Sequence, residues 1–134
     1  MQTNPYLSFN GNCREAMTLY AEVLGGKVEA MMTHGETPMA AEFPPEQQDK
    51  IIHACVNLGE TILMAGDAPG DQYQPPAGFS VNITLASVAE AERVFAALAE
   101  GAVVHMALAE TFWAKRFAMF TDRYGTPWMI NCFT

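Results

Sequence analysis

"NCREAMTLYAEVLGG", residues 12–26, decides how this chain folds. Cys13, Ala16, Met17, Tyr20, Val23 and Leu24 recur at the spacing of one helical face. Asn12 stands where an N-cap belongs, and Glu15 three residues on completes a capping-box pattern. Gly25 and Gly26 stop the helix, because glycine accepts the left-handed C-cap cheaply. Upstream, "PYLSFN" (5–10) alternates as a strand does. Downstream come strands near 26–33, 51–58 and 60–66, the last two turning at Gly59-Glu60. Between the first two lies "HGETPMAAEFPPEQQDK" (34–50), with three prolines, no period and no obvious core of its own. A loop that long is uncommon unless it has a function.

The same order then repeats. A turn-rich bridge over 68–78 leads to a strand near 79–85. Ser87 and Glu90 form a second capping-box pattern, and Ala91, Val94, Phe95 and Leu98 share a helical face that ends at Gly101. At an offset of 75 residues, Leu19 aligns with Val94, Tyr20 with Phe95, Gly26 with Gly101 and Val28 with Val103. Strands near 102–110, 115–121 and 126–133 complete the second set. The order strand-helix-strand-strand-strand, twice, predicts an α+β chain of two paired βαβββ modules whose sheets curl around a shared cleft. Module one covers about 1–67 and module two about 79–134 of a single domain, 1–134.

Strand alternation assigns faces. Leu7 and Phe9 oppose Tyr6 and Ser8; Ile52, Ala54, Val56 and Leu58 oppose Ile51, His53, Cys55 and Asn57; Phe79, Val81, Ile83 and Leu85 oppose Ser80, Asn82 and Thr84. The apolar faces are expected on the helices. The mixed faces either line the cleft, which makes Tyr6, Ser8, His53, Asn57, Ser80 and Asn82 site candidates, or form plain solvated sheet surface.

The closing strip "ETFWAKRFAMFTDRYGTPWMIN" (110–131) holds both tryptophans. Asp122 and Gly125 suit the first and fourth positions of a type I turn. Trp128 and Ile130 share the core parity, and Met129 and Asn131 the other. Trp113, at a strand junction beside Phe112, reads either as a pocket wall or as ordinary packing. Glu110 is expected at the cleft rim and Asn131 opposite Asn82.

Composition narrows the function classes. The net charge is −8 and the pI about 4.6, so nucleic-acid phosphate and anionic membrane surfaces are repelled. No apolar run approaches the ~20 residues that span a bilayer, and the first residues lack a signal-peptide pattern. Cys13, Cys55 and Cys132 are odd in number and form no Cys-x-x-Cys pair, which points to the reducing cytoplasm.

"PYLSFNGNCREAMTLYAEVLGG", "HACVNLGETILMAGD" and the closing strip together resemble the PhnB-like branch of the glyoxalase, bleomycin-resistance and dioxygenase superfamily, the vicinal oxygen chelate proteins. The resemblance covers nearly the whole chain. It implies the glyoxalase/bleomycin resistance/dihydroxybiphenyl dioxygenase-like fold and a homodimer. Members of this branch carry the name 3-demethylubiquinone-9 3-methyltransferase-like, although the superfamily's enzymes are mostly metal-dependent.

In catalytic relatives, His, Glu or similar ligands from the first and last strands of each module hold the metal. Those strands supply Tyr6 and Ser8, Leu63 and Met64, Ser80 and Asn82, and Met129 and Asn131 here. None is an imidazole, carboxylate or thiolate donor, so no metal or other cofactor is expected. An unusual site using His53 with Asp67 or Glu110 stays open. The strand-to-helix turns "FNGNCRE" and "LASVAEAE" lack the glycine spacing of an S-adenosylmethionine or dinucleotide loop. Two readings remain: a binding protein for an unidentified small molecule, or a metal-dependent or metal-free enzyme with His53 as base and Glu110 as acid.

Overall fold

The chain's apolar periodicity resolves into two units, Met1–Pro75 and Pro76–Thr134, in a computed structural model that describes residues 1–134. The first contains β1 (Tyr6–Phe9), α1 (Cys13–Leu24), β2 (Lys27–Thr33), β3 (Ile51–Asn57) and β4 (Ile62–Asp67). The second contains β5 (Val81–Thr84), α2 (Val88–Leu98), β6 (Val103–Ala109), β7 (Arg116–Thr121) and β8 (Pro127–Cys132). Each unit is the expected βαβββ set. The sheets have the orders β1-β4-β3-β2 and β5-β8-β7-β6. In each sheet the first strand pairs parallel with the last, and the other pairs are antiparallel.

The helix faces bury as their spacing predicts. Cys13, Ala16, Met17, Tyr20 and Val23 of α1 are buried, and Tyr20 packs 6.3 Å from Phe9 of β1, ring centre to ring centre. Ala91, Val94 and Leu98 of α2 are buried, and Phe95 meets Phe120 of β7 edge to face at 5.4 Å. Burying a large apolar side chain contributes roughly 1.5–3 kcal/mol, so these contacts fix one face of each sheet. Gly25 ends α1 at φ 70°, the left-handed conformation that glycine adopts at least cost.

The capping expectations divide. Ser87 Oγ accepts from Glu90 N at 3.1 Å, as expected. The reciprocal arm of that box is replaced by a Glu90–Arg93 ion pair. Asn12 makes no side-chain cap, and its Oδ1 is buried without a partner. Asp67, at the end of β4, replaces it: Oδ1 accepts from Gly11 N (2.9 Å) and Cys13 N (3.0 Å), and Oδ2 from Ile51 N (2.9 Å). A long-range carboxylate offers three charge-assisted bonds where a local amide offers one.

Two face assignments need correction. Ile51, not Ile52, is the core residue at the start of β3, 1% exposed. The register against β2 shifts between Met32 and Thr33, so the alternation slips at that end of the strand. Phe79 precedes β5 and is 54% exposed rather than packed on a helix.

The 34–50 segment buries no apolar side chain and is ordered by hydrogen bonds of its own, with His34 its one buried residue. It forms three short 3-10 turns, His34–Glu36, Ala40–Glu42 and Pro45–Gln47. Gln48 Nε2 donates to Ala40 O (2.7 Å) and Phe43 O (2.8 Å) from within the loop. His34 is buried edge-on against Phe43 at 4.4 Å, and both its ring nitrogens lack a hydrogen-bond partner.

Candidate functional site

In the first unit, the sheet face away from α1 carries Tyr6, Ser8, His53, Cys55 and Asn57. Tyr6 pairs with Met64 and Ser8 with Gly66 across β1 and β4. A Cβ at Gly66 would lie 2.9 Å from both the Tyr6 hydroxyl and Ile52 O. The missing side chain lets the phenol lie across the sheet, where its hydroxyl donates to Ile52 O at 3.2 Å and its ring stacks 6.2 Å from His53. Burial raises the Tyr6 pKa. Ser8 is exposed. Asn57 serves the strand end: its Nδ2 donates to Glu29 Oε1 and its Oδ1 accepts from Gly59 N, both at 2.8 Å. The sequence marks Asn57 as a ligand group, but its amide is already engaged on both sides.

In the second unit, β7 and β8 set three cross-strand rungs on the face away from α2: Phe117 with Asn131, Met119 with Met129, Thr121 with Pro127. Asn82 and Thr84 of β5 extend the face through their pairing with Met129 and Asn131. Asn131 Nδ2 donates to Asn82 Oδ1 at 2.7 Å, the pairing expected from parity, and Asn82 Nδ2 donates to Thr84 Oγ1 at 3.0 Å. Asn131 is 8% exposed, and its Oδ1 has no partner.

Trp113 stacks edge to face on Phe117 at 5.1 Å, beside the Asn131 rung. Phe112, 98% exposed, stacks on Trp113 at 4.8 Å. Thr111 and Ala114 close this hairpin by mutual hydrogen bonds. Glu110 precedes it and is exposed.

At the other end of the same face lies a cavity of about 560 Å³, lined among others by Phe79, Ser80, His105, Met119, Thr121 and Met129. His105 sits where the β6–β7 register shifts between Val104 and Met106, and its Nε2 lies 3.1 Å from Thr121 Oγ1. Ser80 is the sequence candidate that this cavity contains. His105, Thr121 and Phe79 were missed. Strict alternation does not foresee a bulge that turns His105 toward Thr121, nor an exposed phenylalanine ahead of its strand.

No group of three or more His, Cys, Asp and Glu side chains is arranged to hold a metal ion. Asp67 is committed to three backbone N–H groups, and it belongs to no such group of donors. The residues therefore do not fit the metal centre that the resemblance implies. The thiol of Cys13 is pushed up to about 12 by burial and, second, by the Asp67 charge, so it is no nucleophile near neutrality. No helix is long and apolar enough to cross a membrane.

Two βαβββ units, each with a four-stranded mixed sheet, define the glyoxalase and bleomycin-resistance fold. Within it, the chain belongs to the family described as 3-demethylubiquinone-9 3-methyltransferase, which it matches over residues 1–131. It is 48% identical to protein PA1353 from Pseudomonas aeruginosa, with a TM-score of 0.88 and 98% and 97% of the two chains covered. It is 35% identical to Protein YjdN of Escherichia coli K12, over 98% of this chain and 95% of that protein. The PhnB protein of Bacillus cereus shares the fold at 22% identity, with a TM-score of 0.83 and 98% and 99% coverage. Neither sheet is the doubly wound parallel type on which glycine-rich nucleotide loops sit.

Proposed function

We propose that this protein binds a small molecule without transforming it, on the face of the second unit's sheet that turns away from α2. One observation carries the reading: the cavity of about 560 Å³ mixes Phe79, Met119 and Met129 with Ser80, His105 and Thr121. That volume and that mixture of apolar walls with few polar groups are typical of ligand pockets. The superfamily's metal positions have lost their donors, and no cofactor takes part. In the alternative enzyme, His53 would be the base and Glu110 the acid; the His53 ring is instead stacked on Tyr6.

A thermal-shift screen against a metabolite library tests the reading. At least one compound is expected to raise the melting temperature of the wild type and to lose that effect in Phe79→Ala and His105→Ala. Both positions are exposed, so the variants are expected to fold. A library with no stabilising compound, or hits indifferent to both substitutions, ends the proposal.

The protein acts as a cytoplasmic homodimer. Each sheet leaves apolar side chains on an unpaired edge strand, Met32 on β2 and Val103 and Met106 on β6. Two-fold assemblies are the commonest way to cover such surface. Light scattering at micromolar concentration is expected to give twice the chain mass of 14.6 kDa; a monomer mass refutes it.

A further inference from the structure

We infer that the occupant of the second unit's site is an uncharged, flat aromatic molecule carrying one N–H or O–H donor; this rests on the binding reading above. Charge is the first argument. The chain carries −8, yet no carboxylate, ammonium or guanidinium lines the cavity, and His105 is its one titratable side chain. An ionic ligand would lose water there without meeting a counter-charge, which is costly.

The second argument is the floor. Met119 of β7 pairs with Met129 of β8, so two thioethers lie side by side in the cavity wall. Thioethers are polarizable, adapt their shape and favour contact with aromatic rings. Phe79 at one end and the Trp113–Phe117 pair at the other add aromatic surface to the same unit.

The third argument is the lone pair. Asn131 Oδ1, in the rung next to Met119 and Met129, is buried and has no donor in the chain. The Asn131 amide is held by Asn82, so it cannot turn away freely. Asn131 lies just beyond the cavity lining, two residues or roughly 7 Å along the strand from Met129, so a donor reaching past a ring over the two methionines would approach that oxygen. A buried acceptor without a partner is costly, and a ligand donor relieves that cost.

N-phenyl-1-naphthylamine, 1-anilinonaphthalene-8-sulfonate and N-methyl-N-phenyl-1-naphthylamine test the three arguments by fluorescence titration of the full chain. The first is uncharged with an N–H, the second adds a sulfonate, and the third lacks the N–H. The first is expected to saturate at micromolar concentration. The other two are expected to bind about tenfold more weakly, since the sulfonate lacks a counter-charge and the methylated amine leaves Asn131 unsatisfied. Phe79→Ala is expected to weaken the first probe about fivefold through lost aromatic contact. Ser80→Arg is expected to bring the sulfonate to parity or better. Equal binding of all three probes, no saturation by the first, or indifference to Phe79→Ala overturns the inference. If the naphthylamine fails while library hits remain sensitive to Phe79→Ala, the ligand class is wrong and the binding reading stands; if no hit exists, both fall.

Discussion

Truncating Trp128 to Ala is expected to cost about 3–5 kcal/mol, the range for a large core aromatic, whereas Trp113→Ala is expected to cost under about 1.5 kcal/mol because nearly half of that side chain already meets water. Trp128 is fully buried, and its Nε1 donates to Asp122 Oδ2 at 2.8 Å. Asp122 Oδ1 accepts from Tyr124 N (2.9 Å) and Thr126 N (3.0 Å), so the same carboxylate shapes the β7–β8 turn. The backbone bond from Gly125 N to Asp122 O closes that turn. Losing Trp128 therefore removes packing and one anchor of the hairpin together. Trp113 is 45% exposed and rests on Phe112 and Phe117. Urea unfolding of both alanine variants measures the difference. Trp128→Phe keeps most of the ring and loses the indole N–H, and is expected to cost about 1–3 kcal/mol. In that variant acrylamide should quench the remaining Trp113 readily, while in Trp113→Ala the remaining Trp128 should resist. A stability-critical, quenching-resistant Trp113 would reverse the assignment of faces on β8, and the Asn131 rung would fall with it.

How much of this was legible follows from where the information lies along the chain. Trp128, Ile130 and the buried faces of both helices were readable because period 2 and period 3.6 are local. So was the Asn82–Asn131 pairing, since parity on two strands that pair fixes a shared face. Ser87 was readable as a cap because its partner is three residues away. Asn12 was misread for the same reason: the local pattern was present, but the distant Asp67 carboxylate, 54 residues after Cys13, fills the position. Ile51 was misplaced and His105 was missed where the registers shift, since one extra residue moves a side chain to the other face. The buried His34 and the Gln48 bonds inside the 34–50 loop follow no periodic rule, so the order within that coreless segment was not legible.

Asp67→Ala is expected to be the most damaging substitution in the first unit, at about 3–5 kcal/mol, given that a bond to a charged group contributes ~1.5–3 kcal/mol and the three here are not additive. The carboxylate is 7% exposed and ties three segments: the β1–α1 loop at Gly11, the first turn of α1 at Cys13 and the start of β3 at Ile51. Without it, three backbone N–H groups lose their acceptor, and the Asn12 side chain does not reach them. The isosteric Asp67→Asn should recover little. If its Oδ1 keeps the bonds to Gly11 and Cys13, its Nδ2 faces the Ile51 N–H, donor against donor; the flipped amide places Nδ2 against two donors instead of one. A cost of about 2–3 kcal/mol is expected for Asn, from one lost bond and the uncompensated donors. The Cys13 thiol supplies a second readout. Burial and the Asp67 charge hold it at about 12, so at pH 8 the folded wild type is expected to resist iodoacetamide at Cys13. Asp67→Asn removes the charge and loosens the turn, and both changes favour thiolate and access, so alkylation at Cys13 should accelerate. Wild-type stability in Asp67→Asn, with Cys13 still protected, would mean that the neutral amide serves as well as the carboxylate and that charge plays no part in closing this turn.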